Sequence, residues 1–269
     1  MADWAAPTDK TLVEYRVEDG VAILELNDPP ANTYTFNMMQ QLDASILRAR
    51  MDDSVHVIVL RGKGEKFFSA GANIQMLNEV TPRWKYFFCL HANETLNRLE
   101  QTPKLVVAAL NGHTVGGGLE IALAADVRLA RRGAGKIGLP EIALGVLPGT
   151  GGTQRLARLV GKARAMELMI GGRLIEFDEA AELGLVQRVF DAASFEDQVR
   201  EYAAAHVPPA RAARAVGLIK RAVQSGLEMS FHDGLALERE LQQRLFESDD
   251  AREGLAAYAE KREPRFRGR

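Results

Sequence analysis

The feature that most narrows what this chain can fold into is an alternation. Short apolar runs suited to buried strands are separated by segments whose apolar residues recur at helical spacing. Val55-His-Val-Ile-Val-Leu60, Leu105-Val-Val-Ala-Ala-Leu110 and Val127-Arg-Leu-Ala130 are the strand-like runs. Between them, the segment Met38 to Met51 carries Met38, Leu42, Ile46 and Leu47 at helical spacing, and helices are expected from about Pro82 to Gln101 and from Gly117 to Ala125. Strands and helices in such alternation build an α/β fold. The chain opens differently, with Leu12–Val17 and Val21–Leu26 flanking Asp19-Gly20, a pair that favours a tight hairpin turn. From about Phe195 the composition shifts to Ala, Arg, Glu and Leu with helical periodicity, and Pro208-Pro209 should separate one helix from the next. The expected organisation is an α/β core over residues 1–195 and a helical C-terminal region over residues 196–269. No repeat of fixed period is present, which disfavours solenoids and propellers.

With 269 residues the chain can bury a sizeable core without staples. A formal net charge of −2 and a pI near 6.3 leave no electrostatic footprint for nucleic acid. The N-terminus shows no signal peptide, and no segment approaches the ~20 apolar residues of a membrane span, so a soluble cytoplasmic protein without membrane contact is expected. The single cysteine, Cys89, has no partner for an internal disulfide and reads as a small buried apolar residue rather than a catalytic thiol. Gly62-Lys-Gly64 runs into Phe67-Phe68 instead of opening a helix, and Gly149-Thr-Gly-Gly152 lacks the lysine of a phosphate loop. Both are read as turns, and no metal-ligand cluster is visible.

Two carboxylates stand beside glycine-rich backbone: Glu120 in Asn111-Gly-His-Thr-Val-Gly-Gly-Gly-Leu-Glu120, and Glu141 in Gly138-Leu-Pro-Glu141. Gly116-Gly-Gly118 precedes a helix, so it leaves backbone N–H groups free at the positive end of the helix dipole, where an oxygen anion would bind. A second glycine-bearing turn, Ser69-Ala-Gly71-Ala72-Asn73, could donate another N–H to the same oxygen. Carboxyl groups that move protons next to donors that hold an oxyanion point to acid/base chemistry on a carbonyl compound.

These segments resemble the crotonase (enoyl-CoA hydratase/isomerase) superfamily. The resemblance rests on Phe68-Ser-Ala-Gly-Ala-Asn-Ile74, on Asn111 to Glu120, on Pro140-Glu141 and on Pro148-Gly-Thr-Gly-Gly-Thr-Gln-Arg-Leu156. It continues through Gly171-Gly-Arg173, Ala180 to Val186 and Tyr258 to Phe266, nearly end to end. It implies a crotonase-type ββα spiral followed by C-terminal helices that pack across a homotrimer or a dimer of trimers. The substrate carrier it implies is coenzyme A, with no catalytic cofactor. Ala72 and Gly117 match the two oxyanion-hole positions, and Glu120 and Glu141 match the two hydratase glutamates. Ala70, Ile74, Tyr258 and Lys261 match positions that touch CoA, the last two sometimes from a neighbouring subunit.

Retention of both glutamates favours a hydro-lyase, an enoyl-CoA hydratase, in which Glu120 positions and deprotonates water and Glu141 delivers a proton to C2. The alternatives within the resemblance are an isomerase using Glu141 alone, or another acyl-CoA lyase or hydrolase; an inactive scaffold subunit is the non-enzymatic one. Thr33-Tyr34 replaces the family's usual Ala-Leu pair, and Gln75 stands where many short-chain hydratases have lysine. Trp84, Phe87 and Phe88 are assigned to the core, His91 and His113 to structural roles, and Leu235, Leu241 and Leu245 to a partner surface.

Overall fold

The computed structural model describes residues 4–269. Strands β1 (Val13–Glu18) and β2 (Val21–Leu26) form the expected hairpin, and Asp19 and Gly20 take the positive φ values of 46° and 81° that a tight two-residue turn demands. Helix α1 (Phe36–Met51) follows, capped by the Thr35 hydroxyl, which accepts the Met38 N–H.

Three turns of a strand–strand–helix spiral come next. The first contains β3 (Val57–Gly62), β4 (Phe67–Ser69), α2 (Ile74–Glu79) and α3 (Pro82–Glu100). The second contains β5 (Leu105–Leu110), β6 (His113–Val115) and α4 (Gly117–Leu123). The third contains β7 (Val127–Arg131), β8 (Lys136–Gly138), a single 3₁₀ turn at Glu141–Leu144 and α5 (Gly152–Val160). The first strand of each turn enters a six-stranded sheet and the second enters a four-stranded one. The larger sheet runs β1-β2-β3-β5-β7-β10, with β10 (Arg188–Phe190) parallel to β7; the smaller runs β4-β6-β8-β9, with β9 (Ile175–Glu176) antiparallel to β8. Asn111 fastens the corner where the chain leaves the large sheet: its amide donates to the Gly62 and Gly64 carbonyls and its oxygen accepts the Gly62 N–H.

The unbroken apolar runs have a direct cause. Ile58 and Leu60 enter one core with Val106, Ala108 and Leu110, whereas Val57, Val59, Val107 and Ala109 enter a second core on the other face. A parallel strand covered on both sides has no reason to alternate. The cover on the second face is α8 (Phe195–Ala204), through Phe195, Val199 and Ala203. Packing against the sheet therefore continues past residue 195, and the path changes only after Pro208-Pro209, where α9 (Ala213–Gly226), α10 (Phe231–Phe246) and α11 (Asp249–Glu260) follow.

Several expectations are corrected. Leu241 is only 3 % exposed within the chain itself, and Leu235 and Leu245 are half-buried, so the outward apolar side of these helices is carried instead by Ile219, Val223, Leu227 and Phe231. On α3, Phe88 is core and Trp84 stacks on it, but Phe87 sits on the flank and is exposed. Cys89 is half-buried because it borders Gly149 at the rim of a cavity rather than the core. Helix α4 ends at Leu123, before Ala125. His113 is structural, its Nδ1 accepting the Lys136 N–H.

Arg128 joins α4 to the segment leading into β10, for its buried guanidinium donates to the carbonyls of Ala122, Ala125 and Leu185, and burial lowers its pKa to about 10. Arg128→Ala leaves the Ala125 and Leu185 carbonyls without their donor, and urea unfolding should show a loss of about 2–4 kcal/mol. Arg128→Lys should recover little of it, because an ammonium lacks the planar fork.

Candidate active site

The spiral brings two turns together at the ends of the smaller sheet. Gly71, at φ +90°, packs against the start of α4 so closely that a methyl on it would lie 2.7 Å from the Gly117 nitrogen. Ala72 is bridged in parallel to Tyr34, whose N–H donates to the Gly71 carbonyl. Among the described residues, neither the Ala72 N–H nor the Gly117 N–H has an acceptor in the fold, and both residues line one cavity of about 490 Å³. The N-terminal end of α4 adds its partial positive charge there.

Glu120 lies one turn into α4, 2 % exposed, and lines the same cavity. Its Oε1 accepts the Thr150 N–H at 2.7 Å and the Gly152 N–H at 2.8 Å, so the glycine-rich turn before α5 is the cradle of this carboxylate. A methyl on Gly152 would stand 3.0 Å from that oxygen. Burial raises the Glu120 pKa, while the Gly152 and Thr150 N–H groups, the Thr150 hydroxyl and the Lys85 ammonium act against it.

Glu141 reaches the cavity from the 3₁₀ turn, which the αL residue Gly145 terminates. Its Oε1 would be 3.1 Å from a methyl on Gly116, and its buried Oε2 has no hydrogen-bond partner among the described residues. Burial, with the Glu120 charge adding to it, pushes the Glu141 pKa up to about 7 against the opposing pull of its own backbone N–H and of Lys85.

Of the positions expected to touch CoA, Ala70 and Ile74 line the cavity. Tyr258, 87 % exposed on α11, and Lys261, in the αL conformation just beyond it, do not. Asn32 ties its loop to the β3–β4 connection, its amide donating to the carbonyls of Lys63 and Phe67. Tyr34, read from sequence only as a replacement near CoA, is fully buried on the cavity floor: its hydroxyl is 3.1 Å from Thr150 Oγ1, and a methyl on Gly117 would fall 2.3 Å from its ring. Burial and the charge of Glu120 raise its phenol well above the usual range. Thr150 and Lys85 are further cavity residues that sequence reasoning missed; glycine-rich spacing signals the Thr150 turn but not which group its N–H holds. Among the described residues no group of three or more His, Cys, Asp or Glu side chains is placed to hold a metal ion, and no helix is long and apolar enough to cross a membrane.

Residues 16–269 match the family model described as Enoyl-CoA hydratase/isomerase. The chain belongs to this family. A probable enoyl-CoA hydratase of Bacillus subtilis is 35 % identical over 258 residues, covering 95 % of this chain and 98 % of the relative. A short-chain-enoyl-CoA hydratase of Clostridium acetobutylicum is 37 % identical, covering 91 % and 93 %. The solved structure of an enoyl-CoA hydratase from Geobacillus kaustophilus superposes with a TM-score of 0.94 at 46 % identity, covering 97 % of this chain and 98 % of that one. The crotonase fold is thereby shared over 97 % of the chain.

The raised Glu141 pKa makes stability and pH interdependent in a checkable way. A carboxyl whose pKa rises from 4.5 unfolded to about 7 folded stabilises the native state fully below 4.5, and that stabilisation is lost as pH rises through 7. Glu141→Gln cannot ionise, so its melting temperature should match wild type near pH 4.5 and exceed it at pH 8. An equal difference at both values would show that Glu141 ionises normally.

Proposed function

We propose that this protein is an enoyl-CoA hydratase, adding water across the 2,3 double bond of a 2-trans-enoyl-CoA to give the 3-hydroxyacyl-CoA. The observation that carries this reading is the convergence of two carboxyl groups and two unused backbone N–H groups on one cavity. The Ala72 and Gly117 N–H groups take the thioester oxygen, whose negative charge grows as C3 is attacked. Glu120, clamped on one oxygen by two backbone donors, orients a water and accepts its proton as the new C–O bond forms at C3. Glu141, whose pKa of about 7 leaves a large protonated fraction at neutral pH, gives its proton to C2. Solvent returns the proton from Glu120 to Glu141 once product leaves, and dehydration runs the same steps backwards. The two carboxyls supply every proton transfer, so the reaction needs no further cofactor.

CoA lies along Ala70 and Ile74 at the cavity mouth, and Tyr258 and Lys261 meet the CoA of a neighbouring subunit, which accounts for an aromatic side chain standing free on α11. The helices α9 to α11, after Pro208-Pro209, serve this assembly in a trimer or dimer of trimers. The exposed Ile219, Val223, Leu227 and Phe231 supply the apolar side of the contact. Sedimentation should show three or six subunits; a monomer at micromolar concentration would overturn the assembly.

Glu120→Gln and Glu141→Gln should each lower hydration by ~10²–10⁴-fold while a non-reactive acyl-CoA analogue still binds. With Glu141 as the acid, kcat/KM for hydration should fall as pH rises through about 7. On a 3-enoyl-CoA, Glu141→Gln should abolish proton exchange at C2, whereas Glu120→Gln loses hydration and keeps exchange. Intact hydration in Glu120→Gln would replace this mechanism with an isomerase using Glu141 alone.

A further inference from the structure

Lys85 projects from α3 to line the same cavity as Glu120 and Glu141, and no other lysine or arginine among the described residues does so. It is half-buried, with its Nζ 5.2 Å from the centroid of the Phe88 ring, and among the described residues its ammonium enters no ion pair and donates no hydrogen bond. Elsewhere on the chain, cations at the edge of the core are matched, as Lys220 is by Asp126 at 2.8 Å. An ammonium that a bound substrate would strip of water, with nothing to replace that water, is costly unless the substrate brings its own anion.

Two anionic parts of an acyl-CoA could meet it: the phosphates of CoA or a charged group on the acyl chain. The geometry favours the acyl chain. Phe88, on which the ammonium rests, faces the Tyr34 ring at 5.7 Å, and Tyr34 in turn lies under Gly117 and beside Thr150, at the reacting end of the cavity. Both cavity carboxyls feel the Lys85 charge. The phosphates of CoA are held away from the thioester by the whole pantetheine arm. Much of the remaining lining is apolar, with Leu77, Leu144, Val146 and Leu147, which suits methylene groups. We infer that Lys85 binds a carboxylate at the far end of the acyl chain, so that the substrate is the CoA thioester of an unsaturated dicarboxylic acid.

This inference rests on the hydratase reading, and its test separates the two. Hydration is measured on a neutral 2-enoyl-CoA and on an ω-carboxylated 2-enoyl-CoA of matched chain length, using wild type, Lys85→Met and Lys85→Arg. Wild type should favour the carboxylated thioester in kcat/KM by about 10–100-fold, the range of a charge-assisted hydrogen bond. Lys85→Met should erase that preference, chiefly through KM, and Lys85→Arg should restore most of it. The neutral thioester controls for folding, because a damaged fold lowers both rates together. Equal losses on both substrates, or a wild-type preference for the neutral chain, would overturn this inference alone. Turnover of neither thioester by wild type would overturn the hydratase reading and the inference with it.

Discussion

Everything at the cavity depends on the approach of two backbone turns to within contact distance. Gly71 presses on the Gly117 nitrogen, and a methyl on Gly118 would sit 2.2 Å from the Ser69 carbonyl oxygen. Side chains there would push the two turns apart by about an ångström, enough to break hydrogen-bond geometry. The two N–H groups of Ala72 and Gly117 belong to different turns of the spiral, which the pairing of β4 with β6 brings side by side. The Ser69 hydroxyl tightens the join by donating to the Asn32 carbonyl and accepting the Gly71 N–H. Buried backbone donors are ordinarily paired. Leaving two of them unused and facing one cavity is a cost that the surrounding core must offset.

The two carboxyls are held in opposite ways, and their electrostatics differ accordingly. Glu120 lies on a helix inside the core, fixed by two N–H donors that favour its ionised form, so burial and hydrogen bonding oppose each other. Glu141 lies on a four-residue 3₁₀ turn and keeps one buried oxygen without a donor, so little resists its desolvation. One carboxyl is thus held by donors that oppose its desolvation, whereas the other is raised to about 7 with little to oppose it. Environments that separate two otherwise similar carboxyls are what acid/base chemistry at neutral pH requires.

Much of this was legible in the chain before any coordinates. The hairpin at Asp19-Gly20, the strand runs beginning at Val55 and Leu105 and the glycines before α4 each have a local physical cause, and local causes can be read from sequence. The smaller sheet was not legible, because β4, β6 and β8 are three residues long and β9 two, too short to show a period. The role of α8 was hidden for a different reason: its alanine-rich composition matches the helices after it, and only the tertiary structure shows that Phe195 and Val199 cover the sheet. Gln75 ended in a local pair with Glu79 on the surface. Tyr34 was the most consequential omission, since its importance comes from Thr150, 116 residues away.

That long-range contact links the turn that carries Ala72 to the turn that cradles Glu120. Tyr34 donates its N–H to the Gly71 carbonyl, accepts the Asn73 N–H on its own carbonyl, and meets Thr150 through its hydroxyl. Its backbone therefore braces the turn that carries Ala72, while its side chain reaches the residue whose N–H holds Glu120. A leucine could fill part of the volume but would leave the Thr150 hydroxyl without this neighbour in a site from which water is largely excluded. A phenol there also brings a polar atom among apolar walls, and burial keeps it neutral. The floor is thus rigid and uncharged, and the charge in the cavity is confined to Glu120, Glu141 and Lys85. Among the described residues, Lys85 is thus the one cation in a lining whose other charged groups are carboxyls.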